Sequence, residues 1–190
     1  MPRLKSQNKA IRDERRSKIL QASIPLFAIY GQNSVSMDMV CNASDCSHGL
    51  IYHYFDNIEE LYSNALNSEF VLEMKNKIYL VREEPLASQE LYRITKNLLF
   101  FAGKDKDTKA ALLLVLNNET KTSVFETLTK LIEQGQKEKD IVGGEPEEIA
   151  KAYLYILKGY LLNCLLNKKF KEPVPNIDIV YEILRKRSRM

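Results

Sequence analysis

Lysine and arginine are missing from a long stretch of this chain. Between Ile19 and Met74 there is not one of either, while Asp38, Asp45, Asp56, Glu59, Glu60, Glu69 and Glu73 bring that segment to −7. Histidine is scarce too, with only His48 and His53, so most acid–base catalysis lacks its usual base. No G-x-S-x-G, Walker loop, G-x-G-x-x-G or H-E-x-x-H occurs, which removes sequence support for the common hydrolase, nucleotide-binding and zinc-protease chemistries. No window approaches 18 uninterrupted apolar residues, so no membrane partner is expected. The N-terminus is polar and basic and lacks the apolar core of a signal peptide. Cys41, Cys46 and Cys164 make an odd, small set that does not suggest a disulfide framework and fits a reducing cytoplasm. Convincing β-alternation, internal repeats and low-complexity tracts are also missing.

What remains is helical periodicity. The 190 residues are 45% hydrophobic, enough for one or two domains with a real core. Ile19, Ala22, Ser23, Leu26, Phe27 and Tyr30 keep one face of a helix expected over 11–30. Pro25 should kink it and Gly31 should stop it. A long helix is expected over 58–81, capped by Asp56 or Asn57, with Glu59 and Glu60 favourable against its dipole. Glu83-Glu84-Pro85 should break it. Further helices are placed over 86–103, 107–117, 120–139, 146–168 and 176–188, between turn signals such as Gly143-Gly144 and Pro173-Val174-Pro175. Charge is uneven. Residues 1–18 carry seven Lys/Arg against Asp13 and Glu14, residues 185–190 carry four more, and the chain totals only +3. The body is therefore acidic and both ends basic, and a basic arm is a plausible phosphate-binding element.

Between 35 and 54 two short helices meet at a tight turn. Ser36 is placed to cap the first, Asp45 tolerates a left-handed helix end, and Ser47 is a cap candidate for the second. Ile51 and Phe55 recur at i, i+4 to anchor it. A helix–turn–helix of this size places one helix in the major groove of DNA.

The run Ser47-His48-Gly49-Leu50-Ile51-Tyr52-His53-Tyr54-Phe55, then Asn57-Ile58-Glu59-Glu60-Leu61, resembles the tetracycline-repressor (TetR-type) family of bacterial regulators. So does the lead-in from Arg16 to Ser23, with Leu26-Phe27 and Gly31. The resemblance implies an all-α fold in three parts: a basic flexible arm over 1–11, a three-helix DNA-binding domain over 12–72, and a helical ligand-binding and dimerisation domain over 73–190. It implies a ligand-responsive transcriptional regulator, a repressor, acting in the cytoplasm. Its partners are a pseudo-palindromic double-stranded operator, a small-molecule effector and a second copy of itself. No cofactor, metal or enzymatic activity is expected.

The expected DNA contacts are Lys9, Arg12, Arg16, Ser36, Met37, Ser47, His48, Gly49, Leu50, Tyr52 and His53. The helix start at Ser36-Met37 offers backbone N–H groups to a phosphate, Leu50 suits a thymine methyl, and Tyr52 matches a phosphate-meeting family position. The sequence also departs from the family. Lys or Arg commonly stands at His48, Lys at Ile58 and Gly at Asp45, so the cations must come mainly from the arm. The ligand pocket is expected from Tyr92, Phe100, Leu113, Asn117, Phe125, Tyr155 and Gly159, each of which also reads as ordinary core. The runs Ala110 to Leu116 and Tyr153 to Leu166 are apolar nearly all round and need cover on more than one side, for which a partner copy is the simplest source. The resemblance places the dimer face on the last two long helices, 146–168 and 176–188, and so on Tyr153, Leu157, Tyr160, Leu161, Cys164, Ile177, Val180, Tyr181 and Leu184. Cys41, Cys46 and His48 match no zinc spacing, and Cys41 reads as a packing residue. The rival reading is a helical dimer that has lost DNA binding and serves as an interaction module.

Overall fold

The computed structural model describes residues 5–78, 86–118, 123–167 and 173–185. Among them are ten α-helices and no strand: α1 Lys5–Tyr30, α2 Met37–Ser44, α3 His48–Tyr54, α4 Ile58–Leu66, α5 Glu69–Ile78, α6 Ala87–Ala102, α7 Lys106–Asn117, α8 Ser123–Lys137, α9 Pro146–Leu166 and α10 Ile177–Glu182. The expected break at Glu83-Glu84-Pro85, residues 1–4 of the arm and the basic end 186–190 lie outside the described residues.

Three helices differ from the sequence expectation. The helix expected over 11–30 already begins at Lys5; Lys, Gln, Ala, Arg and Glu dominate its first half and all favour helix. The long helix over 58–81 is two helices. Asn67 ends α4 with its N–H on the Ala65 and Ser63 carbonyls, and the Ser68 hydroxyl accepts from the Val71 N–H at 3.4 Å to start α5. The last helix stops at Glu182, since Leu184 is buried and its carbonyl accepts the Val142 N–H at 2.9 Å.

Helix α7 is the centre of the molecule. All seven residues from Ala110 to Leu116 are buried, and α1, α5, α6 and α9 all pack on it. The cover expected from a partner copy is thus supplied by the chain itself. Helix α1 belongs to both halves: it packs on α2 and α4 in the head and on α7 in the body. That dual load explains why Leu20, Ile24 and Ala28 are buried alongside Ile19, Ser23 and Phe27. Two side-chain bonds tie the halves at the end of α7. Asn117 donates to the Ala28 carbonyl at 2.9 Å, one of the acceptors a helix C-terminus leaves orphaned. The Tyr62 hydroxyl of α4 donates to Asn118.

Helix α9 is long and apolar enough to cross a membrane by length and composition alone. Here Tyr153, Leu154, Leu157, Leu161 and Leu165 are buried, and the helix packs against α7 and α8.

Candidate nucleic-acid interface

The turn between α2 and α3 is built from local chemistry. The Ser36 hydroxyl accepts the Met39 N–H at 3.2 Å, capping α2 as expected. Asp45 ends it in the left-handed region, at φ 52°. The Cys46 N–H then reaches back to the Cys41 carbonyl at 3.1 Å, the closing bond of a Schellman motif. Cys41 fills the core beneath, where burial first, and Cys46 second, push its thiol up to about 11. A thiol so hard to ionise suits packing better than metal binding or sensing.

Helix α3 is held down by Ile51 and Phe55, both fully buried. Ser47, His48, Gly49, Tyr52 and His53 are consequently exposed and Leu50 is half-buried, so six expected contacts share the open side of α3. Nothing stands where a Cβ on Gly49 would project, so the backbone there is open to close approach. The His48 Nδ1 lies 3.1 Å from the Asp38 carboxylate, linking the two helices across the turn. Asn57 caps α4 by accepting the Glu60 N–H at 2.8 Å, and Glu60 accepts the Asp56 N–H at 2.7 Å in return, a reciprocal cap of the capping-box kind.

Met37 and Arg16 stand apart from the other expected contacts. The Met37 side chain is buried, so what it can offer a phosphate is its backbone N–H at the start of α2. Arg16 is committed to the head itself. Its guanidinium donates to Asn64 at 2.5 Å and lies 4.9 Å from the centre of the Phe55 ring. Lys9 and Arg12 are exposed on α1.

The expected ligand residues divide between core and surface. Leu113 is buried inside α7, and Asn117 is spent on Ala28. Tyr92 stands edge-on to Tyr181, with ring centres 5.2 Å apart. Phe100 is 58% exposed beside Lys104, and Phe125 is half-buried on α8. Tyr155 and Gly159 lie on the outer side of α9. The expected dimer residues divide likewise. Tyr153, Leu157, Leu161, Val180 and Leu184 are buried in their own chain, where Tyr153 donates to Thr95 at 2.6 Å. Tyr181 donates to the Ser88 carbonyl at 2.7 Å. Tyr160, Cys164 and Ile177 are half-buried. The faces of α9 and α10 that do reach solvent carry Tyr155, Ile156, Leu166 and Ile179, continued by Ile183 just past α10. Sequence reasoning missed Asn64, Tyr62 and Asn118, whose roles depend on partners 48 and 56 residues away and leave no local signal.

Residues 19–65 match the model of the bacterial regulatory proteins of the tetR family. Its N-terminal domain is a tetR-family DNA-binding domain. The matched segment contains both helices of the turn, α2 and α3, and most of α4. Similar folds include a transcriptional regulator from Saccharomonospora viridis in complex with choline, at 18% identity and TM-score 0.56 over 92% of this chain and 100% of that one. The MbdR regulator from Azoarcus sp. CIB aligns at 17% identity and TM-score 0.61, over 89% and 96%. A regulatory protein of the tetR family from Rhodococcus RHA1 aligns at 15% and 0.58, over 90% and 96%. At these identities the likeness is one of fold. No curated protein is similar enough in sequence to match.

Proposed function

We propose that this TetR-type protein is a homodimeric repressor that leaves its operator when a small molecule binds. The observation that carries the DNA-reading part is the division of α3. Ile51 and Phe55 anchor one side, while His48, Gly49, Tyr52 and His53 stand in the open on the other. Lys9 and Arg12 on α1 supply the phosphate contacts that the Lys/Arg-free segment 19–74 does not. The exposed apolar residues of α9 and α10, with Tyr155 at 65% and Ile179 at 70%, support pairing with a second copy, which would set two heads one helical turn apart on a pseudo-palindrome.

Ligand response is supported by the architecture and by the choline complex of the Saccharomonospora relative. The bonds Asn117–Ala28 and Tyr62–Asn118 tie α7 to the head, so a ligand that favours another setting of α7 also biases the heads. It does so only by its differential affinity for the two states. The lever is thus α1 with α7 rather than one unbroken helix over 58–81. The cation-free segment favours the rival interaction module. Anisotropy with DNA flanking the protein's own gene separates the two: selective, salt-sensitive binding supports the repressor, and its absence in a folded dimer supports the module.

A further inference from the structure

Two adjoining hollows run along one side of α1, at the junction of head and body. The smaller, of about 180 Å³, is lined by Gln21, Ile24, Pro25, Phe70, Asp105, Asp107 and Thr108. The larger, of about 590 Å³, shares Gln21, Ile24 and Phe70 with it and continues past Leu20 to Glu69, Glu73 and Asp13. The floor is apolar, with Leu20 and Ile24 buried and Phe70 half-buried. The rim is acidic. Asp13, Glu69, Glu73, Asp105 and Asp107 stand against Arg16 alone, and Arg16 is engaged by Asn64 and Phe55. Of these carboxylates Glu73 pairs with Lys77 at 2.5 Å and Asp105 caps α7. None of the ion pairs among the described residues uses Asp13, Glu69 or Asp107.

Pro25 adds an acceptor. It has no N–H to return to the Gln21 carbonyl one turn earlier, and both residues line the smaller hollow. An apolar floor, an unreturned carbonyl and a rim of carboxylates are complementary to one kind of guest. An ammonium group would meet the carboxylates and the carbonyl, and an attached apolar body would cover Ile24 and Phe70. An anion would face repulsion from every side except Arg16.

We propose that this groove is a binding site for an organic ammonium cation with an apolar body, at the head–body junction and separate from the interior of the body. A guest there touches α1, α5 and the start of α7 together. It therefore bears on α1 and α7, the two helices that the Asn117 bond connects.

The test uses the full chain without DNA, so that its failure is distinct from a failure of the regulatory reading. Binding of 3-phenylpropylammonium and of its neutral counterpart 3-phenylpropanol is measured by titration calorimetry. The expected result is one saturable site for the ammonium, with affinity at least about tenfold above the alcohol. The double variant Asp107→Asn, Glu69→Gln alters only exposed positions, and with its unfolding midpoint unchanged it should weaken the ammonium about tenfold and leave the alcohol as it was. Phe70→Leu should weaken both. No saturable binding, equal affinity for amine and alcohol, or an ammonium affinity indifferent to the double variant would each overturn the proposal.

Discussion

Asp105 shows how much one side chain does at the start of the central helix. Its carboxylate accepts from the Thr108 N–H at 2.9 Å and from the Thr108 hydroxyl at 2.8 Å. Those bonds, the backbone one first, hold its carboxyl below the usual range. A depressed folded-state value means stability that is present above the unfolded value and lost as pH falls through the folded one. Asp105→Ala should therefore cost about 1 kcal/mol near neutrality, the usual worth of an N-cap, and progressively less in acid. Urea unfolding at pH 7 and pH 3 measures the difference; a cost independent of pH would contradict the cap. On the head, Lys9 and Arg12 differ in kind from Arg16. Lys9→Ala and Arg12→Ala should each flatten the log–log salt slope of DNA binding by about 0.9 without moving the unfolding midpoint. Arg16→Ala should lower that midpoint, because it releases Asn64 and uncovers the Phe55 ring. Salt titrations beside thermal melts separate the two behaviours.

At the scale of elements, α7 and α8 make the sharpest predictions. Leu114 is buried on a helix covered from all sides, so Leu114→Ala should cost 2–5 kcal/mol, of the order found for cavity-forming core truncations. Gly135 on α8 gives a test of opposing effects. A Cβ there would stand 2.4 Å from Cγ1 of Ile141, itself buried. Alanine gains up to about 1 kcal/mol of helix propensity, but the overpacking costs about 1–3 kcal/mol, so Gly135→Ala should destabilise in denaturant titration. The elements also show what was legible in advance. Ser36, Asp45 and the cap at Asp56 or Asn57 are readable because a cap or a left-handed turn is decided within a few residues. The split at Asn67-Ser68 was not, since nothing interrupts the apolar spacing from Leu61 to Ile78. The sides of α9 were equally hidden: Tyr153 and Tyr155 are the same residue two places apart, yet one is buried and the other 65% exposed. Only the packing of α7 and α8 decides which, and that packing is tertiary. The same blindness explains why α7 read as a surface wanting a partner when its cover came from α1, α5, α6 and α9.

The whole molecule is an acidic helical body with a cation-poor reading head and a basic α1 lead-in. Dimerisation through the exposed faces of α9 and α10 predicts that Tyr155→Glu with Ile179→Glu gives a monomer in analytical ultracentrifugation, at unchanged helix content. Both side chains face solvent, so the substitutions leave the core intact, and a variant that stays dimeric would move the interface elsewhere. The loss of pairing should also abolish tight operator binding, because one head alone meets one half-site. The most direct measurement is fluorescence anisotropy of the purified protein, with DNA flanking its own gene against a scrambled duplex, at 50 and 200 mM salt. Selective binding that weakens steeply between the two salt concentrations, and flattens in the Lys9→Ala, Arg12→Ala double variant, is the result expected of a reader whose cations sit on α1. Equal affinity for both duplexes, or a salt response that the double variant leaves unchanged, would contradict it.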